Sequence, residues 1–425
     1  VSDLDYCVIL NSEGKVEKIA VGNKSYYIML NDVEDINSLK KEDIKDGQLQ
    51  EMECNPSAFK VKLNCEFDGE LKQGAEYING QYTYRYMQEY NYPTSMALKQ
   101  NNHLLASLES YKLYGEVRPS WVDIDKDGWG VILTDKESTQ PVTSELCTTI
   151  NGKPIVSMSY MFAGSKATQI KGLENFYTDN VTNMNYMFTE SQASALDLRS
   201  FDTSNVTNMN YMFAYSQAKT LDLRNFDTSN VTNMLVMFLS SQATEIRGLE
   251  NFDTSNITNM NFMFAGSQAS ILDLRNFNTT KVEGMGYMFA YLQSAQIKGL
   301  ENFDTSSVKY MTGMFAASQA MTLDLNNFNT SNVSDMSGMF SGSQATEIRG
   351  LEDFNTSNVT NMNNMFSASK VTILDLSSFD INSVSDMGDI FKDSSATIGY
   401  ARTQTDADKF NSSSNKPSGL IFVVK

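Results

Sequence analysis

The stretch LDLRNFDTSNVTNMLVMF, residues 221–238, sets Asp222, Asn225, Asp227, Asn230 and Asn233 between apolar residues, and near copies of it fill most of the chain. A Phe that closes a Met-Phe or Ile-Phe pair recurs at 162, 188, 213, 238, 264, 289, 315, 340, 366 and 391, at intervals of 25 or 26 residues. A fixed period of this length marks a solenoid, in which stacked units bury an apolar face that none of them can bury alone. The ten closing Phe residues predict about ten coils.

Inside one repeat, Ala218, Leu221, Leu223 and Phe226 have the apolar spacing of the strand and turn of a leucine-rich repeat. Leu221-Asp222-Leu223-Arg224 reads as a strand with its leucines inward and its charges outward. Asp227-Thr228-Ser229-Asn230 follows, a run that favours turns and helix N-caps. Val231, Met234, Met237 and Phe238 then recur at three- and four-residue steps, which predicts one or two helical turns. The expected fold is therefore an α/β repeat solenoid, leucine-rich-repeat-like, with a strand and a short helix in each coil.

The 26-residue coils carry Ile-Lys/Arg-Gly-Leu-Glu where the 25-residue coils carry Leu-Asp-Leu-Arg, so the extra residue is always a glycine. Gly172, Gly248, Gly299 and Gly350 fit bulges that absorb it. Aligned this way, the outward columns mostly alternate in sign: Asp222, Arg247, Asp273 and Lys298 in one, Arg224, Glu250, Arg275 and Glu301 in the other. Like charges stacked about 4.8 Å apart would repel, and alternation relieves that repulsion. A third column holds Gln192, Gln217, Gln242, Gln268, Gln293, Gln319 and Gln344, with Lys166 and Lys370 at its ends. It predicts an amide ladder from coil to coil, closed off by the lysines.

The three expected regions are a β-rich N-terminal region over 1–150, pilin-like or built as two small subdomains, the solenoid over 151–395, and a C-terminal cap over 396–425. In the first region Asn79-Gly80 lies between alternating runs and predicts a hairpin, and residues 6–21 read as another. Residues 37–47 read as a short helix. In the cap, residues 402–410 predict a last helix and 419–425 a last strand covering the end of the array.

Composition excludes several classes of function. The formal charge of −18, from 51 acidic and 33 basic residues, opposes binding to nucleic acid or to anionic lipid. A single histidine, His103, removes most triads, dyads and histidine metal centres. Cys7, Cys54, Cys65 and Cys147 contain no CxxC pair, so zinc is not expected. They allow three pairings, between which the sequence does not choose. Cys54–Cys65 with Cys7–Cys147 is the arrangement expected of a secreted protein, and reduced buried thiols are the alternative. No apolar run is long enough to span a membrane. The chain begins at Val1, which suggests that a leader or anchor precedes it.

One motif offers metal chemistry. In DIDKDGWG, Asp123, Asp125 and Asp127 stand at alternate positions before Gly128, like the first half of a calcium loop. The twelfth position is Thr134 where a bidentate Glu is wanted, so a plain Asp127-Gly128 turn is the preferred reading. Calcium is the one cofactor considered, and none is otherwise expected. The methionines, 20 of 24 beyond residue 150, keep core spacing. Thr203, Thr228, Thr254 and Thr305 form a column too often interrupted for an ice-binding array.

The sequences FDTSNVTNMNYMF and LDLRNF resemble the repeats of BspA-like leucine-rich-repeat bacterial surface proteins, over about residues 150–400. The tail from Gly399 is similar to the segment that closes such arrays. The resemblance implies a right-handed repeat solenoid that binds at the cell surface and adheres to host proteins or neighbouring cells, and it brings no catalytic residues. The expected protein is thus extracellular and non-enzymatic. Its partners would be proteins or glycoconjugates on host or bacterial surfaces, met by the face that carries Arg199, Arg224 and Arg275. A structural stalk or pilus-associated subunit is the alternative.

Overall fold

The computed structural model describes residues 136–143 and 153–425 and, ahead of these, chiefly the backbone of the strands named below. Among the described residues the front forms two larger sheets and a two-stranded pair, Lys99–Gln100 with His103–Leu104. Tyr6–Leu10, Val16–Val21, Lys24–Ile28 and Ile44–Lys45 make an antiparallel sheet in that order. The first two strands are the hairpin expected over 6–21. The helix expected over 37–47 is overturned at its end, because Ile44 pairs with Ile28 as a strand; residues 37–43 lie outside the described residues. In the second sheet, Lys72–Ile78 and Gln81–Glu89 pair up to Ile78 and Gln81, which leaves Asn79-Gly80 as the two-residue connection. This sheet runs on through Tyr111–Val117 and Trp129–Leu133 to Lys153–Ser157, where the chain enters the first coil.

Beyond Lys153 the chain is a β-solenoid of about eleven turns with little helix. Its core is one continuous stack in which Leu221, Leu223, Val231, Met234, Met237 and Phe238 are fully buried, with their equivalents in the adjoining coils packed on them. The methionines at core spacing are buried filler. The closing Phe rings stack coil on coil, with centroids 5.8 Å apart for Phe213–Phe238 and 5.3 Å for Phe238–Phe264. Each buried ring contributes on the order of 2–3 kcal/mol of apolar transfer.

The short helix expected in every coil is absent, and its place is taken by a staircase of turns. Met212, Ala214 and Ser216 donate to the carbonyls three residues back, at 3.1–3.2 Å. The intervening Tyr211, Phe213 and Tyr215 donate to Leu235, Met237 and Leu239 of the next coil, at 2.7–3.0 Å. An α-helix would bond every N–H to the carbonyl four residues back. Here alternate N–H groups belong to the neighbouring coil, so the fold is not the strand-and-helix α/β solenoid of a leucine-rich repeat. The spacing misleads because the staircase also returns an inward residue every three or four positions. Its cost is left-handed backbone at Tyr211 (φ 58) and Tyr215 (φ 57), about 1–2 kcal/mol for a non-glycine residue, offset by the ladder between coils.

On the opposite face the strands pair in twos. Thr220–Asp222 pairs with Glu245–Arg247, Ile271–Asp273 with Gln296–Lys298, and Thr322–Asp324 with Glu347–Arg349, all parallel. After each second strand the extra glycine takes φ of 88 to 95 and starts a three-residue 3-10 turn such as Leu249–Asn251. That turn, not a strand partner, meets the next coil. At the far end Ile373–Leu376, Ile398–Ala401 and Ile421–Val424 form a three-stranded sheet. Thr403 caps the helix Gln404–Asn411 by accepting from the Asp406 N–H. The helix buries Ala407 and Phe410, and Phe410 meets Phe391 edge-on at 5.6 Å, which closes the aromatic stack.

Candidate binding surface

Most polar columns of the solenoid are occupied in building it. The Oδ1 of Asp227 accepts from both the N–H and the hydroxyl of Ser229, and that of Asn233 from the Leu235 N–H. Asn230 Nδ2 donates to Ser204 O of the preceding coil at 2.7 Å. Thr203, Thr228, Thr254 and Thr305 are buried and donate to backbone carbonyls of the following coil at 2.8–3.0 Å. The threonine column is therefore interior, with no flat outer array.

The glutamine column does not form the expected amide ladder. Gln192, Gln217, Gln242, Gln268 and Gln293 each turn Nε2 back onto the carbonyl two residues earlier in their own coil, at 2.9–3.2 Å. That carbonyl belongs to a left-handed residue, Glu190, Tyr215, Ser240, Gly266 or Tyr291. The ladder here is backbone, for example Gln217 N–H to Ser191 O at 2.9 Å. Nor do the lysines end the column. Lys166 N–H reaches back to Lys136 O, and Ser395 N–H to Ser369 O continues beyond Lys370.

On the strand face, Arg199, Arg224 and Arg275 each close a two-point ion pair with the aspartate two residues earlier. The contacts are 2.9 and 2.7 Å to Asp197, 2.8 and 2.6 Å to Asp222, and 2.8 and 2.7 Å to Asp273. Each arginine stands two residues beyond its aspartate, just past the strand segment of the coil, so the nearest counter-charge lies in the same coil. In the 26-residue coils Arg247 and Arg349 pair in the same way with Glu245 and Glu347. The guanidinium of Arg224 holds the Asp222 carboxyl below the usual range against the opposing effect of burial, and Arg247 of the next coil adds to this. Sign alternation between coils is therefore real but secondary to pairing within a coil. All three arginines remain outward, on a face whose charges are neutralised locally.

The staircase face differs. Most of its left-handed positions point side chains outward, Val236 being buried, and in the first six coils many of them are aromatic. Tyr160, Tyr186 and Tyr211 stack at 4.5 and 4.4 Å, and Phe262 on Tyr287 at 4.9 Å. Burial, with the neighbouring Tyr160 and Tyr211, pushes the Tyr186 phenol above its ordinary range. Tyr215 and Tyr291, in the second left-handed column, are 44 and 62% exposed, and Tyr310, in the column of β-bridges that leads into the staircase, is 53% exposed. Gly313 makes room for Tyr287, because a Cβ there would lie 2.4 Å from the Tyr287 ring. From Gly313 onward the tyrosine column turns small or polar, with Gly338, Asn364 and Asp389 in the later coils. Sequence reasoning missed this file because Tyr and Phe in MNYMF and MNFMF blend into a core pattern. Aligning the position two before each closing Phe exposes it.

Asp123, Asp125 and Asp127 lie outside the described residues, in the connection between the paired strands Tyr111–Val117 and Trp129–Leu133. The side chains of His103 and of the four cysteines also lie outside them. Among the described residues, no group of three or more His, Cys, Asp or Glu is placed to hold a metal ion. No helix among them is long and apolar enough to cross a membrane.

Three overlapping stretches, 156–246, 239–350 and 288–404, match the family described as "Mycoplasma protein of unknown function, DUF285", and together they cover more than half of the chain. The chain belongs to this family. The DUF285 stretches lie within the solenoid, so the paired arginines and the aromatic file are both features of the family region, whereas the front sheets and the strand Ile421–Val424 fall outside it. No curated protein and no solved structure matches the chain.

Proposed function

We propose that this is a non-enzymatic, extracellular binding protein of a bacterial surface, which adheres through its solenoid to macromolecules of a host or of neighbouring cells. The observation that carries the reading is the set of aromatic side chains on the staircase face, stacked at Tyr160, Tyr186 and Tyr211 and at Phe262 and Tyr287, and exposed at Tyr215, Tyr291 and Tyr310. Clustered surface aromatics mark interaction sites on soluble proteins, and Tyr and Trp supply much of the energy at interfaces. The resemblance of FDTSNVTNMNYMF and LDLRNF to BspA-like leucine-rich-repeat surface proteins supports the same role and place. The charge of −18 favours protein or glycoconjugate partners over nucleic acid.

A stalk or pilus-associated subunit is the second reading, and one feature favours it. Ile373, Ile398 and Ile421 register across three neighbouring strands and are 50, 42 and 59% exposed, an apolar row suited to self-association. Capture of the full chain on mucin and on extracellular-matrix extract separates the two. Retention of monomeric protein is expected; sedimenting filaments that neither surface retains would favour the stalk.

A further inference from the structure

We infer that the groove beside Tyr215, near the start of the solenoid, binds an uncharged, hydroxyl-rich sugar residue of a glycan. The inference rests on the adhesive reading above and names its ligand class. The groove is open, about 600 Å3 in volume, and is lined by Gly164, Lys166, Glu190, Gln192, Tyr215 and Gln217. It lies where the second left-handed column, Gly164, Glu190 and Tyr215, runs beside the column Lys166, Gln192 and Gln217. Gly164 has no side chain to fill it, and a Cβ built there meets nothing within 4 Å.

The polar lining offers both acceptors and donors. Gln192 and Gln217 give Nε2 to the carbonyls of Glu190 and Tyr215, both at 3.2 Å, which leaves each Oε1 to accept. A carboxylate such as that of Glu190 is also acceptor-only. The lining also donates, from the Thr139 and Thr168 hydroxyls and the Lys166 ammonium, so it suits a ligand that both donates and accepts, as a polyol does and an ammonium or a carboxylate group alone does not. The Lys166 ammonium is paired with Glu137, so its charge is balanced locally, while Glu190 opposes an anion. An uncharged polyol fits this lining. Tyr215 stacks on no other ring among the described residues and is 44% exposed. Its face is thus available to the apolar C–H side of a pyranose, as its hydroxyl is to the polar edge.

The test is saturation-transfer NMR on the full chain with cellohexaose, chitohexaose, maltohexaose and mannohexaose, and with hexalysine and hexaglutamate as charged probes. Titration of any binder into Tyr215→Ala and Glu190→Gln follows. Ala317 and Ala368 occupy the Tyr215 column at φ 53 and 54, so alanine is already accommodated there, and unchanged melting would show that the variant is folded. At least one oligosaccharide should bind, and each variant should raise its Kd about tenfold or more. Silence from all four sugars, binding that both variants leave intact, or preference for hexalysine would overturn the inference. Retention on mucin that both variants leave intact would overturn the groove and spare the adhesive reading. Sugar binding without retention would do the reverse.

Discussion

Gly248 lies so close to the preceding coil that a Cβ on it would sit 2.5 Å from the backbone nitrogen of Arg224. Its φ of 95 adds a second constraint. Gly248→Ala should therefore cost about 1–3 kcal/mol in backbone strain alone, and more from the contact. Urea unfolding should show a lower midpoint; an unchanged midpoint would mean that the coils do not approach in this way.

Two phenylalanines a coil apart should respond differently. Phe238 is fully buried between Phe213 and Phe264, whereas Phe262 is 39% exposed on the staircase face. Phe238→Ala should lose about 3–5 kcal/mol and Phe262→Ala about 1 kcal/mol or less. Denaturant midpoints check the order, and equal losses would contradict the assignment of faces.

The buried Thr228 hydroxyl donates to Asp253 O at 3.0 Å. Thr228→Val keeps the shape and removes the donor, which should cost about 1–2 kcal/mol. Thr228→Ser should recover the hydrogen-bond part of that loss. Thermal melting of the pair separates hydrogen bonding from packing, and a serine variant no better than the valine one would assign the effect to packing.

Acid should destabilise the solenoid. Asp197, Asp222 and Asp273 are held below the ordinary carboxyl range, first by hydrogen bonds from Arg199, Arg224 and Arg275. Their contribution is fully present above the unfolded aspartate value of about 3.9 and is lost as pH falls through the lower folded values. Each pair is solvent-facing, so the individual effects are small. The melting temperature should fall as pH drops through this range, and less steeply in Asp222→Asn. A melting temperature that rises on acidification would reverse the sign.

The period, the inward columns and the outward charges were legible because each shows in single-residue chemistry repeated many times. Leu221, Leu223 and Phe226 face the core as the strand pattern requires. The staircase was not legible, because Met234, Met237 and Phe238 have helical spacing while the N–H groups of Val236 and Phe238 answer to the next coil. The glutamines misled for a related reason: a left-handed residue two positions earlier turns its carbonyl outward and captures the amide that would otherwise stack. Arg224 reads as outward and is so, but its partner Asp222 lies two residues earlier in the same coil and not in a neighbouring one. The aromatic file needed alignment across coils, since no single repeat distinguishes Tyr211 from a core residue.

On the proposed adhesive reading the staircase face, and not the strand face, meets the partner. Retention of two full-length variants on a mucin-coated surface tests it most directly: Tyr215→Ala with Tyr291→Ala and Tyr310→Asn, against Arg199→Ala with Arg224→Ala and Arg275→Ala. The aromatic variant should lose retention about tenfold or more while the arginine variant keeps it. Full retention by the aromatic variant, or loss confined to the arginine variant, would contradict the account.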